Sequence, residues 1–84
     1  MSTSSDIQRT DDQIVTLLSQ WLMGTVGNDE LRKAIEEIGT EELAPGQRAA
    51  VEELLVSLRN AFPGERGDLE MVVRETLEAL AYGE

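Results

Sequence analysis

The sequence contains neither cysteine nor histidine, and it has one tryptophan, one tyrosine and one phenylalanine. Without cysteine, neither a disulfide nor a thiolate metal site can stabilise the fold. Without both residue types, the commonest general base and the usual thiol nucleophile are missing. Carboxylates remain, but adjacent pairs such as Glu36-Glu37 and Glu52-Glu53 point about 100° apart on a helix. We therefore expect no enzyme activity and no catalytic residue.

The sequence also lacks a long hydrophobic run, because crossing a bilayer takes about 20 apolar residues. Its most apolar stretch, residues 14–26, is interrupted by Ser19, Gln20 and Gly24. Residues 1–12 do not combine a basic segment with an apolar core, so no signal peptide is expected. These features predict a soluble, cytoplasmic protein that does not bind membranes.

Acidic residues dominate the composition, with seventeen against seven basic residues and a formal net charge of −10. Such a charge repels nucleic-acid backbones and anionic lipid surfaces. Arg32-Lys33 is the only adjacent basic pair, and the oxygen-ligand spacing of a calcium loop does not occur. We expect no direct nucleic-acid binding, no metal site and no cofactor.

Apolar residues recur at helical spacing in four segments, whereas no segment shows the alternation of a strand. The pattern predicts helices over residues 11–23, 29–38, 45–61 and 69–81. The third is expected to be central, with a stripe formed by Val51, Leu54, Leu55, Leu58, Ala61 and Phe62. Short connections favour antiparallel neighbours. The predicted fold is all-α, a small antiparallel bundle of four short helices in one domain over residues 10–84, after a disordered tail at residues 1–9.

Helix ends are predicted from polar residues and glycines beside the apolar segments. Thr10 and Gln13 fit a capping box, and Asn28 and Asp68 are expected to be N-caps. Gly24 is expected to end the first helix in a left-handed conformation. The residues expected to be buried together are Trp21, Leu54, Leu58 and Leu77.

One strip on the fourth helix is predicted to bind a protein partner. Met71, Glu75, Glu78 and Tyr82 are spaced so that they lie opposite the apolar face of that helix. Methionine and tyrosine are adaptable contact residues that interfaces favour, and the carboxylates suit arginine or lysine. Isolated apolar residues are nevertheless common on protein surfaces without any role in binding.

The sequence thus predicts a non-catalytic, acidic protein–protein interaction module that acts through helix-face contacts. Its partner is either a second copy, in a homodimer, or a larger basic protein that it regulates. A core of this size contributes only about 3–5 kcal/mol of net stability, so a partner would help. The alternative is an antitoxin-like acidic inhibitor that mimics nucleic acid, which carries one charge per about 1.7 Å of duplex, and blocks a nucleic-acid-binding partner.

Overall fold

The structure, a computed structural model, describes residues 9–62 and 64–84. The helices are α1 Thr10–Leu22, α2 Asn28–Ile38, α3 Pro45–Asn60 and α4 Gly67–Tyr82. They form the predicted all-α antiparallel bundle, and every helix end lies within two residues of its predicted position. Arg9 immediately precedes α1. The rest of the predicted tail, residues 1–8, lies outside the described residues.

α3 packs on both α2 and α4 and buries more residues than any other helix, and its central position stays a prediction. α1 completes the bundle by packing on α2 and α4. The buried apolar side chains are Ile14, Leu18, Trp21, Leu31, Ile35, Leu43, Val51, Leu54, Leu55, Leu58, Leu69, Val73 and Leu80. Trp21, Leu54 and Leu58 are buried as predicted, whereas Leu77 is only partly buried and packs against the edge of the core.

Gly24 ends α1 as predicted, with a φ of 87°. Its amide donates to the carbonyl oxygen of Trp21 at 3.0 Å, and the Thr25 amide donates to that of Gln20 at 3.0 Å. These two bonds are those of a Schellman motif, which satisfies carbonyl groups that a helix end would otherwise leave free. The chain therefore turns sharply toward α2.

The three predicted N-caps are wrong, because each helix begins earlier than its apolar pattern indicates. Thr10 is already helical, and its hydroxyl donates to Glu42 Oε1 at 3.0 Å. Asn28 is the first residue of α2, after Gly27, and Asp68 is the second residue of α4. Acidic residues in the first turn of these helices still stabilise them through the helix dipole. The threonine and asparagine side chains instead make contacts distant in sequence.

Asn28 ties three parts of the bundle together. The indole nitrogen of the fully buried Trp21 donates to Asn28 Oδ1 at 2.7 Å, and Asn28 Nδ2 donates to the carbonyl oxygen of Glu65 at 2.9 Å. The Arg66 guanidinium lies 3.9 Å from the centre of the indole ring and donates to the carbonyl oxygen of Trp21. The end of α1, the start of α2 and the α3–α4 connection are thereby joined.

Gln47 joins the other end of the α3–α4 pair, which the sequence did not predict. Its side chain is buried. Its Oε1 accepts from the Ala44 amide at 3.0 Å, and its Nε2 donates to the carbonyl oxygen of Leu80 at 2.9 Å. One side chain therefore satisfies backbone groups at the start of α3 and at the end of α4.

Phe62 does not belong to the core stripe, and its predicted burial is wrong. The side chain is 78% exposed. α3 ends at Asn60, and Ala61 is extended, with φ −78° and ψ 147°. Because Pro63 follows Phe62 in the sequence, the helix has to end at or before Phe62. Its end at Asn60 turns Phe62 away from the stripe.

Replacing Leu58 tests the central position of α3. Leu58→Ala removes a buried side chain and should lower the free energy of unfolding by about 2–5 kcal/mol. The control is Val56→Ala, two residues earlier and half exposed, which should change it by less than about 0.5 kcal/mol. Urea unfolding followed by far-UV circular dichroism measures both. Equal losses would show that α3 is not central.

Replacing Asn28 tests the three-way contact. Asn28→Ala leaves the buried indole N–H of Trp21 without an acceptor, so the free energy of unfolding should fall by about 1–3 kcal/mol. The matched control is Asn60→Ala, an exposed residue whose side chain has no hydrogen-bond partner among residues 9–62 and 64–84. Unfolding followed by Trp21 fluorescence compares them. A loss no larger than that of the control would contradict the assignment.

Candidate interaction surface

The four predicted partner-binding residues, Met71, Glu75, Glu78 and Tyr82, form one exposed strip, here named the α4 strip. α4 buries Leu69, Val73, Thr76 and Leu80 on its opposite side. Met71 is 64% exposed and Tyr82 is 79% exposed. The structure thus leaves two large apolar side chains and two carboxylates free for contact. Their use in binding stays a prediction.

The basic side chains of the bundle are mostly engaged away from the α4 strip. The ion pairs among the described residues are Arg9–Asp11, Arg32–Asp29, Arg32–Glu36 and Arg59–Glu36. Arg48 donates to the carbonyl oxygens of Thr40 and Glu41, and Arg66 is held on Trp21. Consequently, little positive charge is left to neutralise the outer faces of α3 and α4.

Carboxylates on α3 and α4 are correspondingly uncompensated. Those that take part in no ion pair or hydrogen bond within residues 9–62 and 64–84 are Glu52, Glu53, Asp68, Glu70, Glu75 and Glu78. Arg74 is the one basic side chain of these two helices that also takes part in no ion pair or hydrogen bond within the described residues. The outer faces of α3 and α4 therefore carry a concentrated negative charge that is available to an incoming molecule.

Glu36 accepts hydrogen bonds from two arginine side chains. The Arg59 guanidinium donates to Glu36 Oε2 at 2.9 Å, and this hydrogen bond lowers the pKa of Glu36 below its ordinary value. Arg32, which donates to Glu36 Oε1 at 3.1 Å, acts in the same direction. The pair is exposed and contributes little to stability. Its main consequence is that Arg59 of α3 is directed toward α2, where Arg32 already pairs with Glu36.

A groove between α3 and α4, here named the α3/α4 groove, was not predicted from the sequence. It has a volume of about 250 Å³, and its lining includes Val56, Ser57, Asn60, Asp68, Leu69 and Val72. The one sequence signal was Val56, an apolar residue on the polar side of α3 that is half exposed. Val56, Leu69 and Val72 form its apolar part, whereas Asn60, Glu65 and Asp68 make the end near the α3–α4 connection polar. The groove is open to solvent on the outside of the bundle.

The register of the two helices sets which residues face each other across the α3/α4 groove. Gln47 bonds to Leu80 at one end, and Val56 and Val72 line the same cavity. Val56 with Val72 and Asn60 with Asp68 are opposing pairs that line the cavity. If the same antiparallel register is continued toward Gln47 and Leu80, Glu53 is expected opposite Glu75 and Ala49 opposite Ala79. Each rim thus repeats at intervals of four, three and four residues. By this register, Glu75 of the α4 strip is expected to lie next to the groove, beyond Val72.

A second cavity, of about 300 Å³, lies between the start of α2 and the α3–α4 connection. Phe62 and Leu58 contribute to its apolar side. Two of its polar side chains are already used, because Glu30 Oε1 accepts from the Gly27 amide at 3.1 Å and Asn28 Oδ1 accepts from Trp21. Asp29, which also lines the cavity, is largely exposed and lies 3.9 Å from Arg32.

The buried polar groups and the acidic side chains of the described residues are accounted for as follows. Within residues 9–62 and 64–84, no group of three or more acidic residues is arranged to hold a metal ion. Every buried side-chain nitrogen or oxygen there has a hydrogen-bond partner; Thr76, for example, donates to the carbonyl oxygen of Val72 at 2.7 Å. In the same part of the chain, no helix has the length and apolar character needed to span a bilayer.

The Arg59–Glu36 contact is tested by an NMR titration of the Glu36 carboxyl carbon. Arg59→Ala should raise the pKa of Glu36 toward its ordinary value of 4.5, because the strongest bond to the charged form is lost. The depressed pKa in the folded chain favours folding above the pKa of the unfolded chain, and this contribution disappears as pH falls through the folded value. An unchanged titration curve would show that the contact does not persist in solution.

Comparison of this chain with protein-family models, with curated proteins and with solved structures found no match. The exposed side chains and free charges of α3 and α4 are therefore the basis on which a function can be assigned.

Proposed function

We propose that this chain is a non-catalytic interaction module that binds a basic partner protein through the α4 strip. The observation that carries the proposal is the division of charge: apart from Arg74, the arginines of the described residues are held by ion pairs, backbone carbonyls or Trp21, whereas the carboxylates of α3 and α4 stay free. Absence of cysteine fits a reducing compartment, and we assign the module to the cytoplasm.

Met71 and Tyr82 supply the apolar part of the contact. Both are large and exposed, and they bracket Glu75 and Glu78 along one side of α4. A partner that covers them gains apolar burial at about 25 cal/mol per Å². Tyrosine is also among the residues that most often dominate binding energy when they are buried at an interface. The apolar ends of the strip thus favour affinity.

The carboxylates supply orientation and speed of association. Glu75 and Glu78 have no partner among the described residues, so an arginine or lysine of another protein meets no competing cation apart from Arg74. Opposite charges across an interface accelerate encounter and exclude partners of the wrong sign. A partner with an apolar pocket beside basic side chains fits this arrangement.

A basic partner fits the α4 strip better than a second copy of this chain does. In a two-fold dimer the same surface occurs on both subunits, so two acidic strips would meet. With a net charge of −10 on each chain, this approach is unfavourable. We therefore expect a monomer whose thermal midpoint does not depend on protein concentration. A midpoint that rises with concentration would indicate the homodimer.

The free carboxylates also support a second candidate function, inhibition of a nucleic-acid-binding protein by mimicry of phosphate. In that case, duplex DNA and this chain would compete for the partner, with a steep dependence on salt. The two candidates differ in the role of Tyr82. Mimicry of nucleic acid depends on the carboxylates, so it is insensitive to loss of the Tyr82 ring. Binding through the α4 strip requires both the carboxylates and the ring.

The proposal is tested with proteins captured from the native host by the immobilised wild-type chain and then purified. Tyr82→Ala should weaken binding of a genuine partner by about 1–2 kcal/mol or more, because an interfacial tyrosine is a frequent hot spot. Glu75→Lys with Glu78→Lys should slow association and reverse its salt dependence. Surface plasmon resonance over a range of salt concentrations measures both effects.

Matched controls alter the same residue types elsewhere on the surface. Phe62→Ala removes another exposed aromatic ring, and Glu37→Lys with Glu41→Lys reverses two exposed carboxylates outside α3 and α4. Neither control should change the affinity by more than about twofold. If they weaken binding as much as the variants of the α4 strip, the proposed surface is wrong.

A further inference from the structure

We infer that the α3/α4 groove accepts a basic amphipathic helix of the partner, with an apolar side chain between Val56 and Val72 and a cation beside Glu53 and Glu75. This inference rests on the proposed function, because it extends the same acidic contact surface from α4 onto α3. It specifies the shape and chemistry of the segment that binds.

The size of the α3/α4 groove favours side chains over a small molecule. Its volume of about 250 Å³ lies below the roughly 300–1,000 Å³ that ligand pockets usually have. Buried Leu69 and half-buried Val72 contribute to its apolar lining. Such a cavity holds one or two apolar side chains projecting from a helix, as in other helix-in-groove complexes.

The arrangement of the groove suits a helix. Its lining lies within residues 56–61 and 65–72, so it extends along about two turns of each helix, or roughly 10 Å. The two rims place their opposing pairs at intervals of four, three and four residues. A helix of the partner that lies along this groove presents side chains at the same intervals, which allows it to pack between the rims.

Charge complementarity identifies the occupant as basic. The Val56–Val72 level is flanked on one side by Glu53 and Glu75 and on the other by Asp68. None of these carboxylates has a partner within residues 9–62 and 64–84. A helix with arginine or lysine one turn from its central apolar residue would place the cation beside Glu53 and Glu75. An acidic helix would be repelled.

The chain's own helices do not meet this description. Among residues 9–62 and 64–84, the basic side chains without a partner are Lys33 on α2 and Arg74 on α4. Neither helix combines an exposed apolar stripe with flanking cations. A second copy therefore offers no basic amphipathic helix to the α3/α4 groove, and the occupant belongs to a different protein.

The test uses a fluorescein-labelled helical peptide of about 16 residues, the length of α3 and of α4. One face carries leucines spaced three and four apart, flanked by arginines. A second peptide has the same composition in an order that gives no apolar face. Fluorescence anisotropy with the full chain should show at least about tenfold tighter binding of the amphipathic peptide. Equal affinities would mean that charge alone acts, and would overturn the inference.

Val56→Asp separates groove binding from simple attraction of charge. It adds a negative charge and would strengthen a purely electrostatic contact, but it places a carboxylate where the apolar side chain should lie. We expect at least about tenfold weaker binding of the amphipathic peptide. The control, Ser19→Asp, adds the same charge at an exposed position of α1 and should not weaken binding. Unchanged or tighter binding by Val56→Asp would overturn the inference.

NMR of the wild-type chain gives an answer that does not depend on a variant folding. Added peptide should shift the amide signals of Val56, Asn60 and Val72, and shifts confined to α1 and α2 would overturn the inference.

Comparing Tyr82→Ala with Val56→Asp distinguishes the proposed function from binding in the α3/α4 groove. If the captured partner is sensitive to Tyr82→Ala but not to Val56→Asp, the proposed function stands and the groove is not used. Insensitivity to both would overturn both.

Discussion

The buried indole N–H of Trp21 is the constraint on which the arrangement of the bundle depends. A buried donor without an acceptor is costly, so the end of α1 requires a polar partner within the core. Asn28 meets that need only because α2 begins beside α1, and its amide nitrogen is in turn satisfied by the carbonyl oxygen of Glu65. Arg66 covers the ring and the last turn of α1. Three chain segments are thus positioned by one ring.

This arrangement also determines where charge is left over. Arg66 is held on Trp21 and Arg59 on Glu36, while Arg48 is held by carbonyl oxygens of the α2–α3 connection. The cations that stabilise the α1–α2 side and the connections are therefore withdrawn from the outer faces of α3 and α4. The acidic surface beside exposed Met71 therefore follows from the contacts that hold these arginines elsewhere, as well as from the composition.

The sequence predicted what depends on local periodicity and missed what depends on distant partners. The burial of Leu58 and the exposure of Met71 follow from helical spacing alone, and both were predicted correctly. The end of α1 at Gly24 was also predicted correctly, but the N-caps were not, because Thr10 and Asn28 bond to residues far along the chain. The α3/α4 groove was missed for the same reason, since its register depends on the Gln47–Leu80 bond.

That bond has a consequence for the thermodynamics of association. Gln47 fixes the end of α4 to the start of α3, and the Asn28–Glu65 contact fixes the connection at the opposite end. With both ends held, the backbone of the helix pair is already ordered before any partner arrives. A partner that bound this helix pair would therefore cost the chain little conformational entropy, which favours affinity for a given contact area. The partner's segment, if it is unfolded when free, bears most of the ordering cost.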